Sequence, residues 1–318
     1  MAVSSKWLVI DRGDAPVARV AARTLRKRLH AVWTILPLAC EPAGDPEQVH
    51  QLRVATRRAL AAFEAFDRLI PGKRRQWFSK WLRRLRRAAG DARDLDVLTD
   101  RLLLEREARR QETQPLMARS ANARSARGRL VAMLSRQRAV SRQPIRDVCE
   151  RLREAEWPRR VEQLLDRVAA RAPGRRFADY ARRRFRPIVG RFFASADRKM
   201  RSAEELHAFR IEGKKVRYVL EIFGSVFSPD VRRRCADALE QLQETLGEFT
   251  DHSAAADRFR RWSREASVAT HRDALGRLRR EEEDRADAAR KAFSRWWNQR
   301  RRAALRRTFD RTLRRQTA

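Results

Sequence analysis

The sequence predicts an all-α fold. Its 11 glycines and 11 prolines cluster between long periodic segments, as expected at helix boundaries. Apolar residues recur at helical spacing, and no segment shows the sustained two-residue alternation that indicates a half-buried strand. Because 42% of the 318 residues are hydrophobic, the chain has enough apolar material to bury a core as one large or two small domains.

Eleven helices are predicted in order along the chain. Asp45 and Pro46 supply one of them with an N-cap and a first-turn proline, and Ser202 with Glu205 gives another a capping signature. The predicted ranges are 16–36, 46–69, 73–89, 92–110, 115–139, 145–171, 176–200, 203–226, 229–246, 250–267 and 269–313, the last of which can contain a break.

A nine-residue pattern occurs twice. Residues 50–58 (His-Gln-Leu-Arg-Val-Ala-Thr-Arg-Arg) recur 157 positions later as residues 207–215 (His-Ala-Phe-Arg-Ile-Glu-Gly-Lys-Lys). The register then continues without a gap through Glu64/Glu221, Phe66/Phe223, Leu82/Leu239, Leu85/Leu242, Gly90/Gly247, Asp94/Asp251 and Asp100/Asp257. Agreement at one offset over about fifty residues indicates an internal duplication.

Both copies of the motif place cations on the helix face opposite their apolar residues. The polar face carries His50, Arg53, Arg57 and Glu64 in the first copy and His207, Arg210, Lys214, Tyr218 and Glu221 in the second. Arg58 and Lys215 lie at the flank, where a long side chain can still lean toward this basic stripe.

The basic stripe has two interpretations. It can be an ordinary solvated surface, and each histidine can be a capping partner near a helix start. A solvated face, however, has no reason to keep a histidine first and cations three, seven and eight positions later in both copies. An imidazole can donate to a phosphate oxygen, and a nearby anion favours its protonated form.

The first copy extends its cations into the following predicted helix. That helix carries Lys80, Arg83, Arg86 and Arg87, whereas the aligned residues of the second copy are Asp237, Glu240, Gln243 and Glu244. This part of the basic track is therefore specific to the first copy. Further on, each copy has a Gly-x-x-x-Asp pattern, Gly90 to Asp94 and Gly247 to Asp251, which we interpret as a helix stop followed by a new N-cap.

The net charge predicts a polyanionic partner. The chain carries 75 Lys and Arg against 41 Asp and Glu, a formal charge of +34, and a densely negative partner would offset the resulting self-repulsion. Nucleic acid, an anionic membrane surface and inorganic polyphosphate all fit, and net charge alone does not separate them.

No metal site, disulfide framework or cofactor is expected. The three cysteines are odd in number, far apart in sequence and not at ligand spacing from a histidine. The N-terminal apolar run is too short for a signal peptide, and no stretch approaches the 18 or so apolar residues of a membrane span. We therefore expect a cytoplasmic protein.

Taken together, the motifs resemble the CHAD family, the conserved histidine α-helical domain. The resemblance spans 16–303 and rests on both nine-residue motifs, on residues 90–97 (Gly-Asp-Ala-Arg-Asp-Leu-Asp-Val) and on residues 246–251 (Leu-Gly-Glu-Phe-Thr-Asp). It implies two pseudo-symmetric helical bundles around a basic central cavity or pore that binds inorganic polyphosphate, and targeting to polyphosphate granules. The chain departs from the usual family pattern at Thr250, where Asn is frequent, and at Gly213.

Carried over to matching positions, the resemblance implies a set of polyphosphate-binding residues. The set is His50, Arg53, Arg57, Arg58, His207, Arg210, Lys214, Lys215, Arg217 and Tyr218, with Arg23 and Lys27 from a preceding helix. The implied domain covers 16–303, with repeat halves at about 16–140 and 176–303 joined by a helical segment, 141–175. Residues 304–318 would form a basic tail that can fray.

Three functions remain open on the sequence. The leading hypothesis is a polyphosphate-binding module that uses charge-assisted hydrogen bonds. A nucleic-acid-binding or general polyanion-binding protein is the alternative, but the tryptophans fall mostly at periodic apolar positions, which favours the core over base stacking. A phosphohydrolase is less favoured, because two equivalent histidines in like cation stripes suit symmetric binding more than an asymmetric reaction.

Overall fold

The computed structural model describes residues 7, 14–42, 44–111, 136–138, 140–171, 176–196, 202–264 and 272–313. This part of the chain is helical almost throughout and contains no strand, which confirms the prediction of an all-α fold. Its helices are α1 Val17–Cys40, α2 Pro46–Ala65, α3 Gly72–Gln111, α4 Gln143–Glu154, α5 Trp157–Ala169, α6 Phe177–Ala196, α7 Ala203–Phe223, α8 Pro229–Trp262, α9 Arg272–Trp296 and α10 Gln299–Leu313. The predicted helix 115–139 lies almost entirely outside the described residues.

The two motif helices, α2 and α7, begin as predicted. The carboxylate of Asp45 accepts a hydrogen bond from the backbone N–H of Glu47 at 2.8 Å, with Pro46 in the first turn. At α7, the Ser202 hydroxyl accepts from the Glu205 N–H and the Glu205 carboxylate accepts from the Ser202 N–H, which makes a complete capping box. These caps satisfy backbone donors that a helix start leaves unpaired.

Two predicted helix ends are wrong. We expected Gly90 and Gly247 to end helices and Asp94 and Asp251 to lie in the first turns of new ones, but α3 and α8 run through both glycines. A single glycine weakens a helix by about 1 kcal/mol relative to alanine, and packing along a long helix can offset that amount. Both glycines have a packing role at the cavity instead.

Two other predicted helices are each divided in the structure. The range 145–171 breaks at Glu156, which has left-handed backbone angles (φ 51°, ψ 52°), because Pro158 cannot continue a helix from the preceding turn. The range 269–313 breaks before α10, where the side chain of Asn298 accepts from the Arg301 N–H at 3.0 Å and caps the new helix.

The expected fraying tail is helical as far as Leu313. Residues 304–313 belong to α10, and Leu305, Phe309 and Leu313 are buried. The Phe309 ring lies 5.9 Å from the ring of Phe185 on α6. Apolar residues at spacings of four therefore attach this segment to the core.

The core lies between two helix groups that meet at α2 and α7. In the first group, α1 packs on α2, α4 and α5; in the second, α6 packs on α7 and α10, and α7 packs on α8. At the junction Phe66 and Phe223, which end α2 and α7, make an edge-to-face contact with ring centroids 6.0 Å apart. The α2–α7 contact sets the relative position of the two basic stripes.

Most of the tryptophans lie where the sequence predicted them. Trp262 and Trp297 are buried, while Trp77, Trp81 and Trp296 are partly buried against apolar neighbours. Their apolar faces are therefore occupied by the protein.

Candidate functional site

A cavity of about 1550 Å³ opens between two walls. The first wall consists of α2 and α3, and the second wall consists of α7 and α8. The cavity lining includes most of the predicted site residues, namely His50, Arg53, Arg57, His207, Arg210, Lys214, Lys215 and Tyr218. The two stripes, distant in sequence, thus face one space.

An arginine lies against a glycine in each wall. A guanidinium nitrogen of Arg53 is 3.5 Å from the place a Cβ would occupy on Gly90, and one of Arg210 is 3.3 Å from the same place on Gly247. Arg53 also donates to the carbonyl of Arg86 at 3.1 Å. Since a glycine removes bulk beside the guanidinium, each glycine lets its arginine lie close to the long helix.

The centre of the cavity is strongly cationic. Burial, followed by the charges of Arg57 and Arg210, lowers the pKa of Lys214 to about 6. Burial and Arg57 likewise lower the pKa of Arg53 to about 10. Because Arg57 on α2 acts on Lys214 across the cavity, cations from both walls repel one another there. An entering anion would relieve that repulsion.

The two histidines lie beside these cations. Burial and then Arg93 lower the pKa of His50. Burial and then Arg210 and Lys214 lower the pKa of His207. Both imidazoles are therefore biased toward the neutral form in the empty cavity, and a bound anion would favour their protonation.

Two aspartates interact electrostatically with the arginines that lie against Gly90 and Gly247. Asp94 acts on Arg53, and Asp251 acts on Arg210. In both walls the aspartate follows its arginine by the same number of residues in the sequence. Burial raises the pKa of Asp94, while Arg53 and Arg258 oppose that rise. These carboxylates partly compensate the positive charge of the two arginines. The Nε atom of Arg210 is buried and has no hydrogen-bond partner within the described structure.

Four predicted site residues lie outside the cavity lining. Arg58 donates to the carboxylate of Glu221 at 2.8 and 3.2 Å, and Glu221 is also 3.6 Å from Arg28. A buried carboxylate of this kind needs its partners, so Arg58 has a structural role between α2 and α7. Arg23 and Lys27 lie on α1 and do not line the cavity, and Lys27 interacts electrostatically with Arg58 and Glu221.

Arg217, the fourth residue, does not line the cavity but contacts Tyr218, which does. Its guanidinium stacks over the ring of Tyr218 at 5.1 Å and donates to the phenol oxygen at 3.4 Å. Tyr218 is 4% exposed and lines the cavity. Arg217 therefore positions Tyr218.

Sequence reasoning missed several lining residues. Gly90, Asp94 and Asp251 line the cavity, as does Arg75. The signal for the first three was present, because the Gly-x-x-x-Asp pattern repeats at the same offset as the histidine motif. A helix end followed by a new N-cap explained that pattern equally well. Only because α3 and α8 continue through the glycines do Gly90 and Gly247 lie beside Arg53 and Arg210.

The described residues contain no group of three or more His, Cys, Asp or Glu side chains arranged to hold a metal ion. None of the helices in these ranges is long and apolar enough to cross a membrane.

The family model of the CHAD domain matches residues 23–260, so this all-helical chain with a cationic cavity belongs to the CHAD family. No curated protein sequence matches the chain. The structure is similar to that of the CHAD domain from the plant Ricinus communis, with a TM-score of 0.69 at 22% identity over 90% of this chain and 94% of that one. It is also similar to PptA from Streptomyces chartreusis, with a TM-score of 0.58 at 19% identity over 89% and 99% of the two chains.

Proposed function

We propose that this protein binds inorganic polyphosphate in the cavity between its two walls. The observation that carries the proposal is the convergence of Arg53 and Arg57 from α2 with Arg210 and Lys214 from α7 on one space. Guanidinium and ammonium groups form charge-assisted hydrogen bonds with phosphate oxygens. The family resemblance, which implies a polyphosphate ligand, agrees with this chemistry.

Access to the cavity favours a thin polyanion over a duplex. Arg53 and Arg210 lie deep, against Gly90 and Gly247 of the long helices. A linear phosphate chain has no sugars or bases and can reach both arginines. Duplex DNA carries its phosphates on a wide rod with grooves of about 6 and 12 Å, so it would contact the rim and leave the deep arginines unpaired.

Binding without catalysis is the activity that the site favours. Hydrolysis would need an activated nucleophile or a metal-bound water, and the lining residues are dominated by cations that hold an anion. A role in bringing the protein to cytoplasmic polyphosphate granules follows from such binding. Weak nucleic-acid binding through the remaining surface charge is compatible with it.

A competition titration tests the proposal. Labelled long-chain polyphosphate is displaced from the protein at physiological salt by unlabelled polyphosphate, duplex DNA and single-stranded DNA. We expect polyphosphate to compete at far lower phosphate concentration than either nucleic acid. Equal competition per phosphate would instead identify a general polyanion binder, because a salt-dependent phosphate affinity is common to all these ligands.

A further inference from the structure

Two of the three cysteines meet in the first helix group, away from the cavity. Cys40 is the last residue of α1, and Cys149 lies in α4. Both carry free thiols, and the two thiols share a hydrogen bond. The sulfur atoms are therefore adjacent, although the two residues are distant in the sequence.

Contacts to the backbone fix this position independently of the thiols. A guanidinium nitrogen of Arg146 on α4 donates to the carbonyl of Cys40 at 3.3 Å. The buried side chain of Arg142 donates to two carbonyls in the segment that joins α1 to α2, at 2.6 and 2.7 Å. Because Cys149 follows Arg146 by three residues, it lies on the same face of α4, one turn further along. The end of α1 and the start of α4 are thus held together beside the two sulfur atoms.

The surroundings of the pair favour a thiolate. The hydrogen bond with Cys40 and then the charge of Arg153 lower the pKa of Cys149 to about 7, against the opposing effect of burial. The thiolate is the reactive form of cysteine, and a lowered pKa makes it abundant at neutral pH. Cys149 is buried, but Cys40 is partly exposed, so a small oxidant can reach the pair from the Cys40 side.

We propose that Cys40 and Cys149 form a redox site, at which hydrogen peroxide converts the two thiols into an intramolecular disulfide. The Cys149 thiolate attacks one oxygen of the peroxide, so that an S–O bond forms, the O–O bond breaks and the released hydroxide takes up a proton. The Cys40 thiol then attacks the Cys149 sulfur, the S–S bond forms, and the oxygen leaves as water with the thiol proton. The two sulfur atoms together lose two electrons, and the peroxide is reduced to two molecules of water.

The disulfide would enclose the first wall. Residues 40–149 include all of α2 and α3, so the cross-link joins the two ends of the segment that carries this wall. Joining the ends of a long segment restricts the unfolded chain and stabilises the fold. The positions 157 residues later hold Asp197 and Arg306, so the sequence provides no equivalent link around the second wall. The inference goes beyond polyphosphate binding and does not depend on it.

Thiol counting on the full chain tests the proposal. Reduced protein, freed of reductant, is treated with a small molar excess of hydrogen peroxide, and its thiols are counted in denaturant. We expect the count to fall from three to one, and peptide mass mapping to show Cys40 linked to Cys149 with the loss of two hydrogen atoms. Three remaining thiols, oxidation to sulfinic acid without a cross-link, or a link between two protein molecules would overturn the proposal.

A matched pair of single variants identifies the residues. Cys40→Ser removes one member of the pair, and the control, Cys235→Ala, removes the third cysteine, which is buried in α8. The control should form the link as completely as the wild type, and Cys40→Ser should form no intramolecular link. A link between Cys149 and Cys235 in the Cys40→Ser variant would show that oxidation acts on unfolded chains, which contradicts the proposal. If a variant does not fold, peptide mapping of the wild type decides alone.

Thermal unfolding measures the consequence. The oxidised wild type should unfold about 5 °C or more above the reduced protein, because the cross-link encloses a long segment. Dithiothreitol should remove the difference, and peroxide-treated Cys40→Ser should show no rise. A cross-linked protein with an unchanged or lower midpoint would contradict the stabilising role of the link.

Polyphosphate titrations of the oxidised and reduced forms separate the two proposals. Because the sulfur atoms are already adjacent, the link requires little movement of α1 or α4, and we expect equal affinities. If neither form binds polyphosphate, the proposed function fails and the disulfide stands. If only the oxidised form loses binding, the link distorts the first wall, and the inference that it stabilises the existing arrangement is wrong.

Discussion

The two walls of the cavity share their inner residues and differ in their outer ones. In each wall a histidine begins the stripe, an arginine lies against a glycine, and an aspartate interacts electrostatically with that arginine. Beyond this inner region, the first wall continues with Arg83 and Arg87, whereas the second has Glu240 and Glu244. On the proposed function, the inner residues of both walls act as one anion site, and the outer residues give the two walls opposite charge.

Removing the central cations should have the largest effect. Arg57 and Lys214 hold matching positions in the two walls, and Arg57 acts directly on Lys214. Each contact to a phosphate contributes about 1.5–3 kcal/mol, so Arg57→Ala with Lys214→Ala should weaken polyphosphate binding about 100-fold or more. Calorimetric titration measures the loss, and circular dichroism checks that the helices persist.

The control for this double variant is Arg233→Ala with Arg234→Ala, which removes the same charge from α8 outside the cavity. If both double variants lose affinity equally, diffuse surface charge explains binding and the inner residues of the two walls have no special role.

Gly213 and Gly90 should respond oppositely to alanine. A Cβ at Gly213 would overlap Gln243 and Leu242, so Gly213→Ala should lower the free energy of unfolding by about 1–2 kcal/mol, since overpacking exceeds the gain in helix propensity. At Gly90 the nearest atom, on Arg53, is 3.5 Å away, and Gly90→Ala should raise the free energy of unfolding by up to about 1 kcal/mol. Urea denaturation measures both values.

Equal changes in the two glycine variants would contradict the closer packing of the second wall. A destabilising effect of Gly90→Ala would show that Arg53 is held too tightly beside α3 to accept an added methyl group.

The pH dependence of polyphosphate binding should come mainly from Lys214, which lies in the second wall. The pKa of Lys214 is about 6 in the empty cavity, and a bound anion raises it, so binding takes up a proton. Affinity should therefore rise as pH falls from 8 to 6, by about fivefold if binding raises the pKa of Lys214 by one unit. His50 and His207, whose pKa values are lowered by burial and nearby cations, contribute in the same direction.

Lys214→Arg provides the comparison, because arginine stays protonated across this range. Both proteins are titrated with polyphosphate in the same buffers. Protonation of the polyphosphate itself then affects both affinities equally and cancels in the comparison. The variant should show a flatter pH profile, and a profile as steep as that of the wild type would remove Lys214 as a source of the coupling.

Much of the fold could be predicted because its signals are local. The capping residues at Asp45 and Ser202 fixed the starts of α2 and α7, and helical periodicity fixed their basic faces. The ends at Gly90 and Gly247 were mispredicted because a glycine followed by an aspartate also fits a helix boundary. Tertiary packing of α3 and α8 decided between these possibilities.

The lining of the cavity was predicted in its inner part and missed where long-range pairing decides the position of a side chain. Arg57 and Lys214 follow from the repeated motif. Arg58 has the same local pattern, but the folded chain pairs it with Glu221, which is distant in sequence. No local pattern distinguishes a cation that faces a cavity from one that faces a buried carboxylate.

The central claim is that the two stripes form one polyphosphate site, and a crystal structure of the protein with a linear polyphosphate chain tests it most directly. We expect phosphates between α2 and α7, with oxygens within hydrogen-bonding distance of both Arg57 and Lys214. Phosphates bound elsewhere on the surface, with the inner arginines still facing Asp94 and Asp251, would contradict the claim.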